Sequence, residues 1–111
     1  MSKIYFTVAG CKHYFGTDFM KKGMKVKLKK EPDNEYDSEA IMVKMKGIGK
    51  VGYVANSTYT VQGDTMSAGR LYDKIGKKAT AKIVYVIPGG AICKLVEEKE
   101  HDEEKTSRES D

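Results

Sequence analysis

Residues 31–43, Glu31-Pro32-Asp33-Asn34-Glu35-Tyr36-Asp37-Ser38-Glu39-Ala40-Ile41-Met42-Val43, hold a turn, an aromatic–carboxylate pair and the start of a strand. Pro32 fixes its own φ, and Asp33 and Asn34 bond readily to nearby backbone, so the chain turns here and leaves Tyr36 and Asp37 exposed. Beyond the turn, Ile41, Val43 and Met45 alternate with Met42, Lys44 and Lys46. That period of two predicts a strand with one apolar face.

The same alternation recurs on either side. Residues 3–8 place Ile4, Phe6 and Val8 on one face and stop at Gly10, and residues 10–16 form a loop. Met24, Val26 and Leu28 alternate with Lys25, Lys27 and Lys29, which predicts a second strand whose outer face is a row of ammonium groups. Such a row repels itself unless anions lie across it. Residues 41–45 and 50–54 flank Gly47-Ile48-Gly49 as a hairpin, and residues 78–87 and 91–96 flank Pro88-Gly89-Gly90 as another. Residues 56–69 are polar and small, hence a loop, and residues 67–75 carry a short helix with Leu71 and Ile75 as its buried pair, ending at Gly76. The pattern is all-β: a small OB-like β-barrel of about six strands with one or two short helices.

With 111 residues the chain supports one core, expected over residues 1–96. No run of about 18 apolar residues is present to span a membrane. The first ten residues lack a basic region followed by a long apolar stretch, which predicts a cytoplasmic protein. The net charge of +4 hides an asymmetry: residues 1–96 hold 17 Lys and Arg against 8 Asp and Glu, while residues 97–111 hold 3 against 8. A basic body attracts polyanions, nucleic acid first among them in a cytoplasm. The acidic segment 97–111 has no aromatic or large apolar side chain to offset its ordering entropy, so it is expected to be a disordered tail. Such a tail either confers solubility only or, as the sharper hypothesis, competes with nucleic acid for the basic face.

Several apparent motifs dissolve on inspection. Gly47-Ile48-Gly49-Lys50-Val51-Gly52 fits GxGxxG, but a strand follows where dinucleotide binding needs a helix. Asp33, Glu35 and Asp37 have the early spacing of a calcium loop, yet Ser38 stands where its glycine belongs and Lys44 where its last glutamate belongs. Cys11, His13, Cys93 and His101 lack zinc spacing, and the two cysteines read as small buried groups. No metal, cofactor or catalytic set is expected.

Three segments in order, Gly10-Cys11-Lys12-His13-Tyr14-Phe15-Gly16, the stretch 31–43, and Val51-Gly52-Tyr53-Val54, give the chain its resemblance to the HIRAN domain family. The resemblance covers about residues 3–96. It implies an OB-like barrel that binds single-stranded DNA and, in helicase-like members, captures the 3′-hydroxyl end. Those larger members also carry ATPase and RING modules, for which this chain has no room, so their activities do not transfer. By the same resemblance Tyr36 matches the family's base-stacking tyrosine, Asp37 its hydroxyl-reading aspartate, and Asn34 an adjacent pocket residue. Where end-binding members have Arg-Tyr-Tyr this chain has Lys12-His13-Tyr14, and the aromatic of their last hairpin falls on Ile92.

On the residues alone, Asp37 reads as a turn cap for Ser38 to Ala40, and Tyr36 as a cover for the barrel mouth, in preference to ligand contacts. With the resemblance, Tyr36, Tyr14 and His13 are expected to stack on bases, Asp37 to accept from a terminal hydroxyl, and Lys12, Lys25, Lys27 and Lys29 to hold phosphates. The expected function is a non-catalytic module for single-stranded DNA, with its 3′ end as the preferred feature. The alternative is a protein-interaction adaptor that recruits a partner through the barrel or the acidic tail. A metal-dependent nuclease on Asp33, Glu35 and Asp37 is disfavoured, because three carboxylates in one short turn lack a supporting histidine or a second acidic strand.

Overall fold

The alternating stretches become strands in the computed structural model, which describes residues 3–96; the tail expected at 97–111 lies outside the described residues. The strands are β1 (Tyr5–Ala9), β2 (Lys25–Lys30), β3 (Ile41–Met45), β4 (Gly49–Val54), β5 (Lys78–Ile87) and β6 (Gly90–Leu95). A 3-10 turn, Cys11–His13, follows β1, and one helix, α1 (Ala68–Tyr72), precedes β5. All strand pairs are antiparallel and close a barrel in the order β1-β4-β3-β2-β5-β6. Closure leaves no free edge among the described strands. This is the small OB-like all-β architecture expected from the alternation. No helix among the described residues is long and apolar enough to cross a membrane.

The inward face of each strand supplies the core. Phe6, Val8, Val26, Leu28, Ile41, Val43, Val51 and Ile83 are all buried there, each contributing about 1.5–3 kcal/mol by leaving water. Ser67 caps α1 by accepting from the Arg70 amide, and the helix delivers Leu71 fully into the core. Ile75 departs from the expected buried pair: α1 ends at Tyr72, so Ile75 lies in the turn beyond and packs half-buried against the core's edge. Cys11 and Cys93 are both buried free thiols, and burial, with Cys11 nearby, pushes the Cys93 thiol up to about 12.

Close backbone approach fixes β1 and the loop that follows it. A Cβ on Gly52 of β4 would stand 2.7 Å from the Ala9 carbonyl oxygen and 3.2 Å from Cys11 Sγ, so glycine lets β4 press against the end of β1. β1 pairs with β4 only at Val8 and Ala9. Along the rest of β1 the chain after β4 takes over, with the Ala55 amide donating to the Thr7 carbonyl at 2.8 Å and the Met66 amide to the Tyr5 carbonyl at 2.7 Å. Thr7, a buried polar side chain, is satisfied by that same segment, its hydroxyl 2.8 Å from the Thr65 hydroxyl and accepting from the Gln62 amide.

Candidate nucleic-acid interface

Three loops meet beside β4. The first begins at the buried Cys11, whose amide donates to the Gly89 carbonyl at 3.0 Å and whose carbonyl accepts from Tyr14 and Gly16. That winding presents Lys12, His13, Tyr14 and Phe15 outward. The second is the 31–40 turn, closed by the Glu31 amide donating to the Ala40 carbonyl at 2.9 Å. The third is the segment after Val54, which carries Asn56.

A chain of polar contacts joins them. Lys50 Nζ lies 5.6 Å from the centre of the Tyr14 ring and 5.0 Å from that of Tyr53, and donates to the Tyr53 hydroxyl at 3.0 Å. The Tyr53 hydroxyl donates to Glu31 Oε1 at 2.7 Å, and Asn34 Nδ2 donates to the same oxygen at 3.1 Å. Asn34 Oδ1 accepts from the Tyr36 and Asp37 amides at 2.9 and 3.1 Å, which locks the turn. Asp37 Oδ1 accepts from the Glu39 amide at 2.9 Å, and Oδ2 from Asn56 Nδ2 at 3.0 Å. Asn56 Oδ1 in turn accepts from the Gly69 amide at 2.8 Å, tying the network to the start of α1.

The electrostatics follow from these contacts. Partial burial pushes the Glu31 carboxyl up, but the hydrogen bonds from Tyr53 and Asn34, with Lys50 and Lys29 nearby, outweigh it and hold it below the usual 4.5. The Tyr53 hydroxyl holds the Lys50 ammonium above its ordinary value. Burial raises the Tyr53 hydroxyl, the pull of Lys50 opposing and Glu31 reinforcing it. Glu31 is therefore a fixed anion that orients Tyr53 and Asn34, and Lys50 is a fixed cation between two rings.

Asp37 thus performs the capping role read from the residues alone. Each carboxylate oxygen accepts one protein hydrogen bond, and each has a second lone pair left for another donor. Tyr36 is 91% exposed and held at its backbone by Asn34. The sequence-expected residues separate into groups. Tyr14, Asn34, Tyr36 and Asp37 come together. Lys12 and His13 sit on the 3-10 turn beside Tyr14, with the Lys12 stem against Gly89 of the β5–β6 turn. Lys25, Lys27 and Lys29 form the outward row of β2. Ile92 lies on β6 in register with Thr7 and Tyr85, and among the described residues no hydrogen bond links it to the network.

Lys50, Tyr53, Glu31 and Asn56 belong to the network and escaped the sequence reading as site residues. Their signal is weak one by one: Lys50 begins a strand, and Asn56 opens a polar loop. Tyr59 escaped as well; it is 94% exposed in the loop that Asn56 anchors, where an aromatic among Ser and Thr is the available hint.

The HIRAN domain family model matches residues 1–86, which includes the first loop, the 31–40 turn and β4. The chain belongs to the HIRAN domain family. Two solved structures share this HIRAN fold. A crystal structure of a protein from Lactobacillus plantarum aligns with a TM-score of 0.58 at 23% identity, over 85% of this chain and 93% of that one. The HIRAN domain of human HLTF aligns with a TM-score of 0.55 at 17% identity, over 85% of this chain and 74% of that one. No curated protein matches the sequence. Membership in a family of DNA-binding modules supports nucleic-acid binding as the activity class.

Proposed function

We propose that this HIRAN domain is a non-catalytic module that binds single-stranded DNA and seats a 3′-hydroxyl end beside Asp37. The observation that carries the reading is the continuous network from Tyr14 to Asn56, which holds two exposed aromatic rings, an ammonium group and a carboxylate with spare acceptor capacity at one locus.

A carboxylate in that position repels phosphate, and Glu31, Asp33, Glu35 and Glu39 lie in the same turn. A strand is therefore accommodated there only by its uncharged terminus. A terminal hydroxyl donating to Asp37 contributes about 1.5–3 kcal/mol, and a terminal phosphate is repelled by like charge. Stacking on Tyr36 and Tyr14 adds about 1–3 kcal/mol per base without reading sequence. Lys50 and Lys12 then meet the first phosphates inward from the end. The test is fluorescence anisotropy with a short oligonucleotide ending in a 3′-hydroxyl and the same strand ending in a 3′-phosphate, at about 50 mM salt. Preference for the hydroxyl is expected; equal affinities remove the role of Asp37, and no binding to either removes the function.

A further inference from the structure

The outer face of β2, β3 and β5 carries a shallow groove of about 970 Å³. Lys25, Lys27 and Lys29 line it from β2, Lys44 from β3, and Lys78 and Lys82 from β5, with Lys46 at the lip. Among the described residues no carboxylate, aromatic ring or side-chain amide lines it. The lysines also face one another across the ladder. Lys25 is in register with Lys82, Lys29 with Lys78 and Lys27 with Lys44, and the rows continue from Lys82 to Lys94 and from Lys44 to Lys50. Like charges directly opposite in a sheet destabilise it. Five such registers make this face one that a polyanion relieves.

The chemistry of the face selects the kind of polyanion. The groove, whose other lining includes Ile48, Ala79 and Val96, holds no ring to stack on and no amide to read base edges. Along the rows beyond it, Tyr5 is an exposed ring at the register of Lys94. The cations of the groove meet phosphates, and a single strand lying in it would leave its bases unstacked in water. A duplex keeps its bases stacked and offers only phosphates. The arrangement of charge agrees. The lysines spread over three adjacent strands about 4.8 Å apart and about 14 Å along β2, a patch rather than a file, on the scale of the two phosphate rows that border a groove about 6–12 Å wide. The row Lys27–Lys44–Lys50 runs from this patch to the ammonium group beside Tyr14.

We infer that the lysine face is a second nucleic-acid site, which takes the phosphate rows of a DNA duplex by a contact independent of base sequence. That the duplex and a strand end at Asp37 belong to one molecule rests on the function proposed above; the duplex site itself does not.

The experiment uses the full chain and a short blunt duplex carrying a 3′-phosphate on both strands, which disables recognition of a hydroxyl end. Anisotropy titrations compare it with a single strand of the same length, also 3′-phosphorylated. The duplex is expected to bind more tightly than the strand. The double variant Lys27→Glu/Lys82→Glu is expected to lose at least about tenfold in duplex affinity at low salt and to flatten the salt slope by about 2–4. Its thermal midpoint, measured in parallel, shows that the barrel is intact. Tyr14→Ala/Asp37→Asn is expected to leave duplex affinity unchanged. Duplex affinity unaltered in the lysine double variant, loss of it in the Tyr14/Asp37 variant, or a blocked strand binding as tightly as the duplex would overturn the inference. Failure of the hydroxyl preference on single strands is read separately and bears only on the Asp37 site.

Discussion

Asp37 and Tyr36 occupy adjacent positions yet carry different obligations. Asp37 caps its own turn and bonds Asn56, so its substitution touches the fold as well as the proposed ligand contact; Tyr36 has nearly its whole side chain in water. Asp37→Asn keeps an oxygen for the Glu39 amide but removes the charge and the acceptor for Asn56 Nδ2. It is expected to abolish the preference for 3′-hydroxyl over 3′-phosphate and to weaken the hydroxyl strand by about 1.5–3 kcal/mol, read by anisotropy. Tyr36→Ala is expected to leave the thermal midpoint within experimental scatter while weakening both strands by about 1–3 kcal/mol.

Glu31 gives the same site a pH signature. Its carboxyl is held below 4.5 in the folded protein by Tyr53, Asn34 and the nearby lysines, so its ionised form favours the fold. The contribution is complete above the unfolded value and drains away as pH falls through the lower folded value. Thermal melts from neutral pH down into the acid range are therefore expected to show a fall in stability below about pH 4.5. Glu31→Gln is expected to be less stable at neutral pH and to show a shallower acid fall; parallel curves for the two proteins would contradict this.

At the scale of elements, the lysine rows and the glycines pull stability in opposite directions. Lys82 on β5 faces Lys25 and Lys94, so Lys82→Glu converts two like-charge registers into opposite ones. A gain of about 0.4–2 kcal/mol follows at low salt, shrinking as salt screens the pairs. Gly52 works the other way. Gly52→Ala places a methyl 2.7 Å from the Ala9 carbonyl oxygen and 3.0 Å from a Val8 methyl, on backbone that cannot swing aside. A loss of about 1–3 kcal/mol is expected in a denaturant titration. The same methyl would stand 3.2 Å from Cys11 Sγ, at the start of the loop that carries Tyr14.

Across the whole molecule, charge is divided between a basic barrel and an acidic segment at 97–111. Val96, the last described residue, lines the lysine groove. A protein ending at Val96 carries nine net positive charges in place of four. It is expected to bind nucleic acid more tightly at low salt, the gain vanishing as salt rises; unchanged affinity would free the segment of any competing role.

The strands, both hairpins and the all-β class were legible in the sequence because a strand writes its own period of two: Val26 and Leu28 against Lys25, Lys27 and Lys29 needs no partner to be read. The 31–40 turn was legible for the same local reason, since Pro32 and Asn34 act within a few residues. Lys50, Tyr53, Glu31 and Asn56 were not, because the bonds that join β4 and the segment after it to the 31–40 turn span 22 and 19 positions, and only the pairing of β2, β3 and β4 sets those distances. The lysine face shows the division most plainly. Its β2 row was visible as alternation, but Lys82 and Lys44 became its neighbours only through the registers of β5 and β3. One strand's pattern is local chemistry, whereas the charge density of a surface is a sum over elements that meet only in the folded barrel.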